Sequence, residues 1–271
     1  MRLVAAGLRK LVRRPATWVT FGVLVGIMAL VFVLSGVTAD RFATRPGARA
    51  AIALVTFPGA YEAVLAFVVG LGGLLAVIYG AAIAGSEWTW GTLKNAVARG
   101  ESRTRYAVTT YASAAVLLAV GTLLAFALGV IAAAIGATIA GVSIGGLTDA
   151  SALGQAPEKL VRGYIGIVEE GAIGFAIATF ARSQLAGIGA GIAVYFGEQF
   201  STIFLPDIVK YLPFNAAQAA ANLTASQFGG GGGSIGVTRL TPDVALFVVG
   251  TWLLGALVIS ALVTERAEIT G

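Results

Sequence analysis

The sequence predicts an all-α integral membrane protein, on three observations. Of 271 residues 58% are hydrophobic and only 11% charged, with a mean hydropathy of +0.89. A soluble domain carries about 25% charged residues, so this chain has too little polar surface to face water all round. The apolar residues are gathered in runs that reach the roughly 20 residues a bilayer crossing needs. The basic residues sit at the ends of those runs, as positive-inside anchoring requires. A single transmembrane domain over residues 1–271 accounts for the pattern, with six spans, or seven if one long run divides.

Residues 1–15, MRLVAAGLRKLVRRP, read as an amphipathic helix. Leu3, Val4, Leu8, Leu11 and Val12 recur every three to four positions, with Arg2, Arg9, Lys10, Arg13 and Arg14 around them. Such a helix lies in the interface and is drawn to anionic lipid; Pro15 stops it. Residues 18–37 form the first span. Val37-Thr38-Ala39 resembles a cleavage site, but the apolar run exceeds the usual 7–15 residues of a signal peptide, which favours a retained anchor. The basic residues before it place the N-terminus in the cytoplasm. Residues 40–61 are a polar outer loop with Arg41, Arg45 and Arg49, and 63–84 return inward.

Residues 85–105 are then cytoplasmic, and 106–147 run without a charge. That run is either one long span with an extra embedded segment or two spans with a tight turn near Gly136. Residues 158–180 form a span with Pro157 at its start, and a turn at 181–184 leads into 185–205. A long outer loop, 206–243, contains YLPFNAAQAA and the five glycines Gly229 to Gly233. Residues 244–263 are the last span, and TERAEITG is a polar tail. Basic residues do not decide the count: six spans put 11 inside and 7 outside, seven put 13 inside and 5 outside.

Several chemistries are excluded. With no His and no Cys there is no imidazole base, thiolate nucleophile, disulfide or His/Cys metal site. The net charge of +5 belongs to span ends, and no basic domain with interleaved aromatics exists to hold nucleic acid. The five glycines lack the Lys and following helix of a phosphate loop, so the chain binds no nucleotide itself. Gly187-x-Gly189-x-Gly191 and Gly22-x-x-x-Gly26 lie in apolar spans, where small residues let helices approach.

The stretch GSEWTWGTLKNAVARGESRTRY concentrates charge that the chain otherwise avoids. Trp90, Leu93 and Val97 fall on one face of a short helix, and Gly100 is placed as its C-terminal stop. Trp88 and Trp90 suit the headgroup level. Two spans can be joined by far fewer residues, so a helix-length insert with a polar face points to a partner beyond basic anchoring alone.

Here the chain resembles the membrane subunits of type-2 ABC transporters, the bacterial drug, lantibiotic and polysaccharide exporter permeases. The likeness rests on Glu87, Gly91-Thr92-Leu93-Lys94 and Ser102-Arg103. It is supported by ATFARSQLAGIGAG (178–191), YLPFNAAQ (211–218) and the basic N-terminal helix. One departure is Arg99-Gly100-Glu101, where many members carry a Pro. The resemblance implies six spans, an N-terminal elbow helix, cytoplasmic termini, and two permease subunits joined to two ATP-binding subunits that hold ATP and Mg. It makes the 85–105 segment a coupling helix, with Glu87, Trp88, Trp90, Gly91, Thr92, Leu93, Lys94, Arg99 and Arg103 as docking residues. Glu87 is placed to pair with a Lys or Arg of the elbow.

Glu169 and Glu170 fall halfway along the fourth span, and Glu198 with Gln199 in the outer half of the fifth. An ionisable group at mid-bilayer costs about 2.5–3.5 kcal/mol on insertion scales, so it faces a cavity or a partner. Two readings stand: these residues line a path for a cationic or amphiphilic substrate, or the carboxyls are protonated hydrogen-bonding groups between helices. Three functional classes remain: an exporter permease in the bacterial cell membrane, a structural subunit of a larger membrane complex, and a membrane-embedded enzyme. The last is the poorest fit, since only carboxylates are left to do its chemistry.

Overall fold

The computed structural model describes residues 2–41, 46–223 and 239–266. In chain order its helices are α1 (Arg2–Val12), α2 (Pro15–Arg41), α3 (Pro46–Val55), α4 (Gly59–Thr89), α5 (Thr92–Ala98) and α6 (Arg103–Ile139). A 3₁₀ turn, Gly145–Thr148, leads to α7 (Ala150–Ala181), α8 (Gln184–Ser201), α9 (Pro206–Val209), α10 (Pro213–Ala220) and α11 (Pro242–Glu265). No strand occurs among the described residues. Among the described residues five helices, α2, α4, α6, α7 and α11, are long and apolar enough to cross a membrane. The glycine run 229–233 and Arg45 lie outside the described residues.

Helices α4 and α7 form the buried centre. A Cβ on Gly80 would run into the Gly171 carbonyl, and one on Gly174 into that of Val77, so the two backbones touch where small residues permit it. Around them α2, α6 and α11 turn apolar side chains outward, Leu30, Leu123 and Leu254 among them. Apolar surface on this scale is solvated by hydrocarbon, not water. The chain is a multi-pass, all-α membrane protein.

Several boundaries differ from the sequence reading, each for a local reason. The 106–147 run holds one helix, and there is no turn at Gly136. Gly136 is instead a packing residue: a Cβ there would meet the Phe32 carbonyl, and one on Gly36 would meet Gly136 itself, so α2 and α6 cross in close contact. The chain turns later, at Gly141, whose φ of 67° is left-handed. Pro157 does not start α7 but lies inside it. The start is set earlier by Asp149, whose carboxylate accepts from the Ala152 N–H at 2.9 Å and the Ser151 hydroxyl at 2.6 Å. Pro157 forgoes one main-chain bond in a helix already begun. The 40–61 loop contains α3, which seats Ala48 and Val55 against the bundle. The 206–243 loop contains α10, whose alanines 216, 217, 219 and 220 are buried against α7 and α11. Of the small-residue patterns, Gly187 and Gly191 meet Ala178 and Val77, whereas Gly22 and Gly26 have no neighbour.

The bundle has two unlike ends. The start of α2, the end of α4, α5, the start of α6, the α7–α8 turn and the end of α11 share one, with α1 lying across it. Arg103 donates to the Glu265 carbonyl at 3.0 Å there, and Arg182 stacks 5.3 Å from the Trp88 ring. Among the described residues this end gathers 11 basic and three acidic positions. The opposite end carries six of each sign, many paired: Lys159 with Glu62, and Arg162 with Asp243 at 2.8 Å. This asymmetry is a property of the fold, since it depends on the direction in which each of α2, α4, α6, α7, α8 and α11 runs.

Candidate functional site

At the basic end α4 runs past the expected span to Thr89, so Glu87 and Trp88 belong to its last turn, and Trp90 caps it. Trp90 therefore does not share a helix with Leu93 and Val97. Gly91 reverses the chain at a φ of 63°, which a side chain would resist, and α5 begins at Thr92. Gly100 ends α5 as expected, at a φ of 87°, with its N–H on the Val97 carbonyl and that of Glu101 on Ala96. Ser102 then caps α6, its hydroxyl accepting from the Arg105 N–H. The result is a seven-residue helix held crosswise between two long ones.

Glu87 fastens this corner. Its carboxylate is 5% exposed and receives Lys10 Nζ at 2.7 and 2.9 Å, Arg14 Nη2 at 2.9 Å, the Tyr106 hydroxyl at 2.6 Å and the Thr92 hydroxyl. Arg14 also donates to Ser86 at 2.8 Å and lies 5.1 Å over the Trp90 ring. One carboxylate thus ties together α1, the α1–α2 corner, α4, α5 and α6. Each charge-assisted bond contributes about 1.5–3 kcal/mol, set against a desolvation cost of several kcal/mol per buried ion. The net gain is small, and what the cluster fixes is geometry, since Lys10, Arg14, Thr92 and Tyr106 all converge on one carboxylate.

The predicted docking residues therefore divide. Glu87, Thr92 and Leu93 point inward; Leu93 is 5% exposed and lines a small pocket together with Ala84, Ala107 and Phe175. Asn95, Ala98 and Arg99 form the outer face of α5, with Trp90 exposed beside it. Lys94 lies on α5, Gly91 is the turn, Trp88 stacks on Arg182 and Arg103 reaches Glu265. The pairing of Glu87 with basic residues of the N-terminal helix is present. Tyr106, Ser86 and the specific choice of Lys10 and Arg14 escaped the sequence reading. Tyr106 carried a signal, being the aromatic that directly follows the charged stretch at the mouth of the apolar run.

The membrane carboxylates are of two kinds. Glu198 is buried on α8 and accepts the Phe214 N–H at 3.2 Å, the Asn215 N–H at 2.6 Å and the Asn215 side-chain amide at 2.8 Å. It caps α10, whose N-terminus favours negative charge; Tyr195 packs edge-on to Phe214 at 4.9 Å to complete the seat. Gln199 beside it is half-buried. Glu169 and Glu170 lie near the middle of α7 at 0% and 2% exposure. Both oxygens of Glu169 and Oε2 of Glu170 lack a hydrogen-bond partner in the protein. Glu170 fills the notch left by Gly73 of α4. All three carboxylates lie within electrostatic reach of one another. Among the described residues no group of His, Cys, Asp and Glu is arranged to hold a metal ion.

A family model described as a protein of unknown function, DUF2705, matches residues 23–270. That is nearly the whole chain, and the chain belongs to this family. A comparison with curated proteins finds no match.

Proposed function

We propose that this member of the DUF2705 family is the membrane-spanning permease subunit of an ATP-driven type-2 ABC exporter. The observation that carries the reading is α5, a short helix fixed at the basic end through Glu87, with Asn95, Ala98 and Arg99 left bare. In this reading α1 is the elbow helix, α8 is a sixth span, and the basic end is cytoplasmic by the positive-inside rule. The membrane is the bacterial cell membrane. Two ATPase subunits, which bind ATP and Mg, press on α5, and a second permease, a copy of this chain or a relative, completes the pore.

The mechanism follows from the Glu87 cluster. A push on α5 reaches α4 through Glu87 and Thr92, α6 through Tyr106, and the N-terminal helix through Lys10 and Arg14. The helices then move as a body instead of bending one at a time, which is the rigid-body rocking that alternating access needs. The substrate is hydrophobic, amphiphilic or cationic. Glu169, with neither oxygen partnered by the protein, and Glu170, with Oε2 unpartnered, supply the countercharge for a cation at mid-membrane, with Glu198 and Gln199 farther along the path. ATP hydrolysis belongs to the partner.

The test is affinity purification of the full chain from its native membrane, with the retained proteins identified. A P-loop ATPase is expected in about equal amount, and Ala98→Trp or Arg99→Glu releases it while the chain keeps its helicity. Purification without any ATPase, or full retention by both variants, overturns the reading.

A further inference from the structure

Among the described residues an apolar cleft between α2 and α6 is left unfilled by the bundle's own side chains. Helices α2 and α6 touch tightly where Gly36 meets Gly136 and where Met28 covers Gly129. From Leu24 towards the basic end they diverge: a Cβ on Gly121 would find only Phe21, at 3.9 Å. The gap is floored by α4, bordered by Trp18, Phe21, Leu24, Gly72 and Tyr79, and has a volume of ≈ 250 Å³. It opens sideways past Trp18, Val120 and Leu124, all exposed on the face that hydrocarbon covers.

Its dimensions and charge name the occupant. On α4 the lining runs from Val68 to Tyr79, which at 1.5 Å per residue is roughly 16 Å, close to half of the roughly 30 Å hydrocarbon thickness. The cleft is thus one leaflet deep. Its shallow end stops at the α1–α2 corner, where Val12 forms the lip and Arg9 and Arg13 stand exposed one helical turn apart. We propose that the cleft holds one acyl chain of an anionic membrane phospholipid, with the headgroup phosphate between Arg9 and Arg13. The lipid wedges α2 from α6 at the basic end and ties the N-terminal helix to the bilayer. This rests on the membrane setting and not on the transporter reading.

Native mass spectrometry of the full chain in mild detergent tests it. About one phospholipid per chain is expected, with phosphatidylglycerol favoured over phosphatidylethanolamine by about fivefold for each arginine engaged. Gly121→Leu fills the cleft and lowers retention by more than about tenfold, the loss of two or so buried methylenes. Arg9→Gln with Arg13→Gln keeps a lipid but loses the preference. A chain that retains no phospholipid, retention unchanged in Gly121→Leu, a preference unchanged without the arginines, or a retained molecule that is not a phospholipid each overturns the proposal. A second measurement needs no packing variant. The chain is placed in vesicles of phosphatidylcholine containing a minor share of brominated-chain phosphatidylglycerol or brominated-chain phosphatidylcholine. Quenching that disappears in Trp18→Phe is expected to be stronger with the glycerol lipid; equal quenching overturns the proposal.

Discussion

Glu87 and Glu169 are both shut away from solvent, at 5% and 0% exposure, yet their surroundings are opposite. Glu87 sits at the basic end with two cations and two hydroxyls on its oxygens. Glu169 sits mid-helix with no partner at all. A carboxylate held on every side is a structural joint, whereas one that the fold isolates and leaves unsatisfied is kept for something the fold does not supply. The same residue type thus marks a bonded joint at one end of the bundle and an unpartnered group at its middle, and Glu198 lies between them as a helix cap.

The contrast can be broken by substitution. The largest effect is expected from Glu87→Ala, which leaves Arg14 buried beside Lys10 with no counter-ion. Removing one partner of a buried pair costs about 3–5 kcal/mol, and the half-exposed Lys10 puts this case near the lower figure. Thermal unfolding in detergent should show the loss, and amide exchange should rise across α5. A stable variant with α5 still protected would mean that the cluster is not a joint.

Next comes Glu198→Ala, where the loss of a cap costs about 1–2 kcal/mol. Exchange should rise in Pro213–Ala220 and nowhere else. Smaller still is the effect of Glu169→Gln or Glu170→Gln on stability, within about 1 kcal/mol of the parent because no bond is lost. Export of a cationic dye from cells should nevertheless fall. If Glu169→Gln destabilises as Glu87→Ala does, the two sites are alike and the contrast collapses.

Asp149 is the exposed control. The Ser151 hydroxyl and Ala152 N–H hold its carboxyl below the usual carboxylate range, so its contribution is present at neutral pH. It is lost as pH falls below about 4. Fraying confined to the first turn of α7, seen by exchange at acid pH and absent in Asp149→Asn, is the expected result.

Much of the fold was legible in the sequence because hydrocarbon imposes a simple rule. Every long apolar run became a helix, and the stop at Gly100 was readable because few residues other than glycine accept its φ of 87°. The pairing of Glu87 with basic residues of the N-terminal helix was expected from the family resemblance. The burial of α10 was not. Its alanines are unremarkable in a list, and only the notch at Gly166, where Ala217 packs, shows where they go. Gly136 left two readings of the 106–147 run open for the same reason: a glycine in a helix looks alike whether it bends the chain or admits a neighbour.

By itself the sequence determined the class and the helical runs, because each depends on transfer between water and lipid, a property summed along the chain. The tertiary structure alone decided which carboxylates are satisfied and which are stranded. Hydrogen bonding is short-ranged and directional, and it depends on where separate helices and the corners between them bring their side chains.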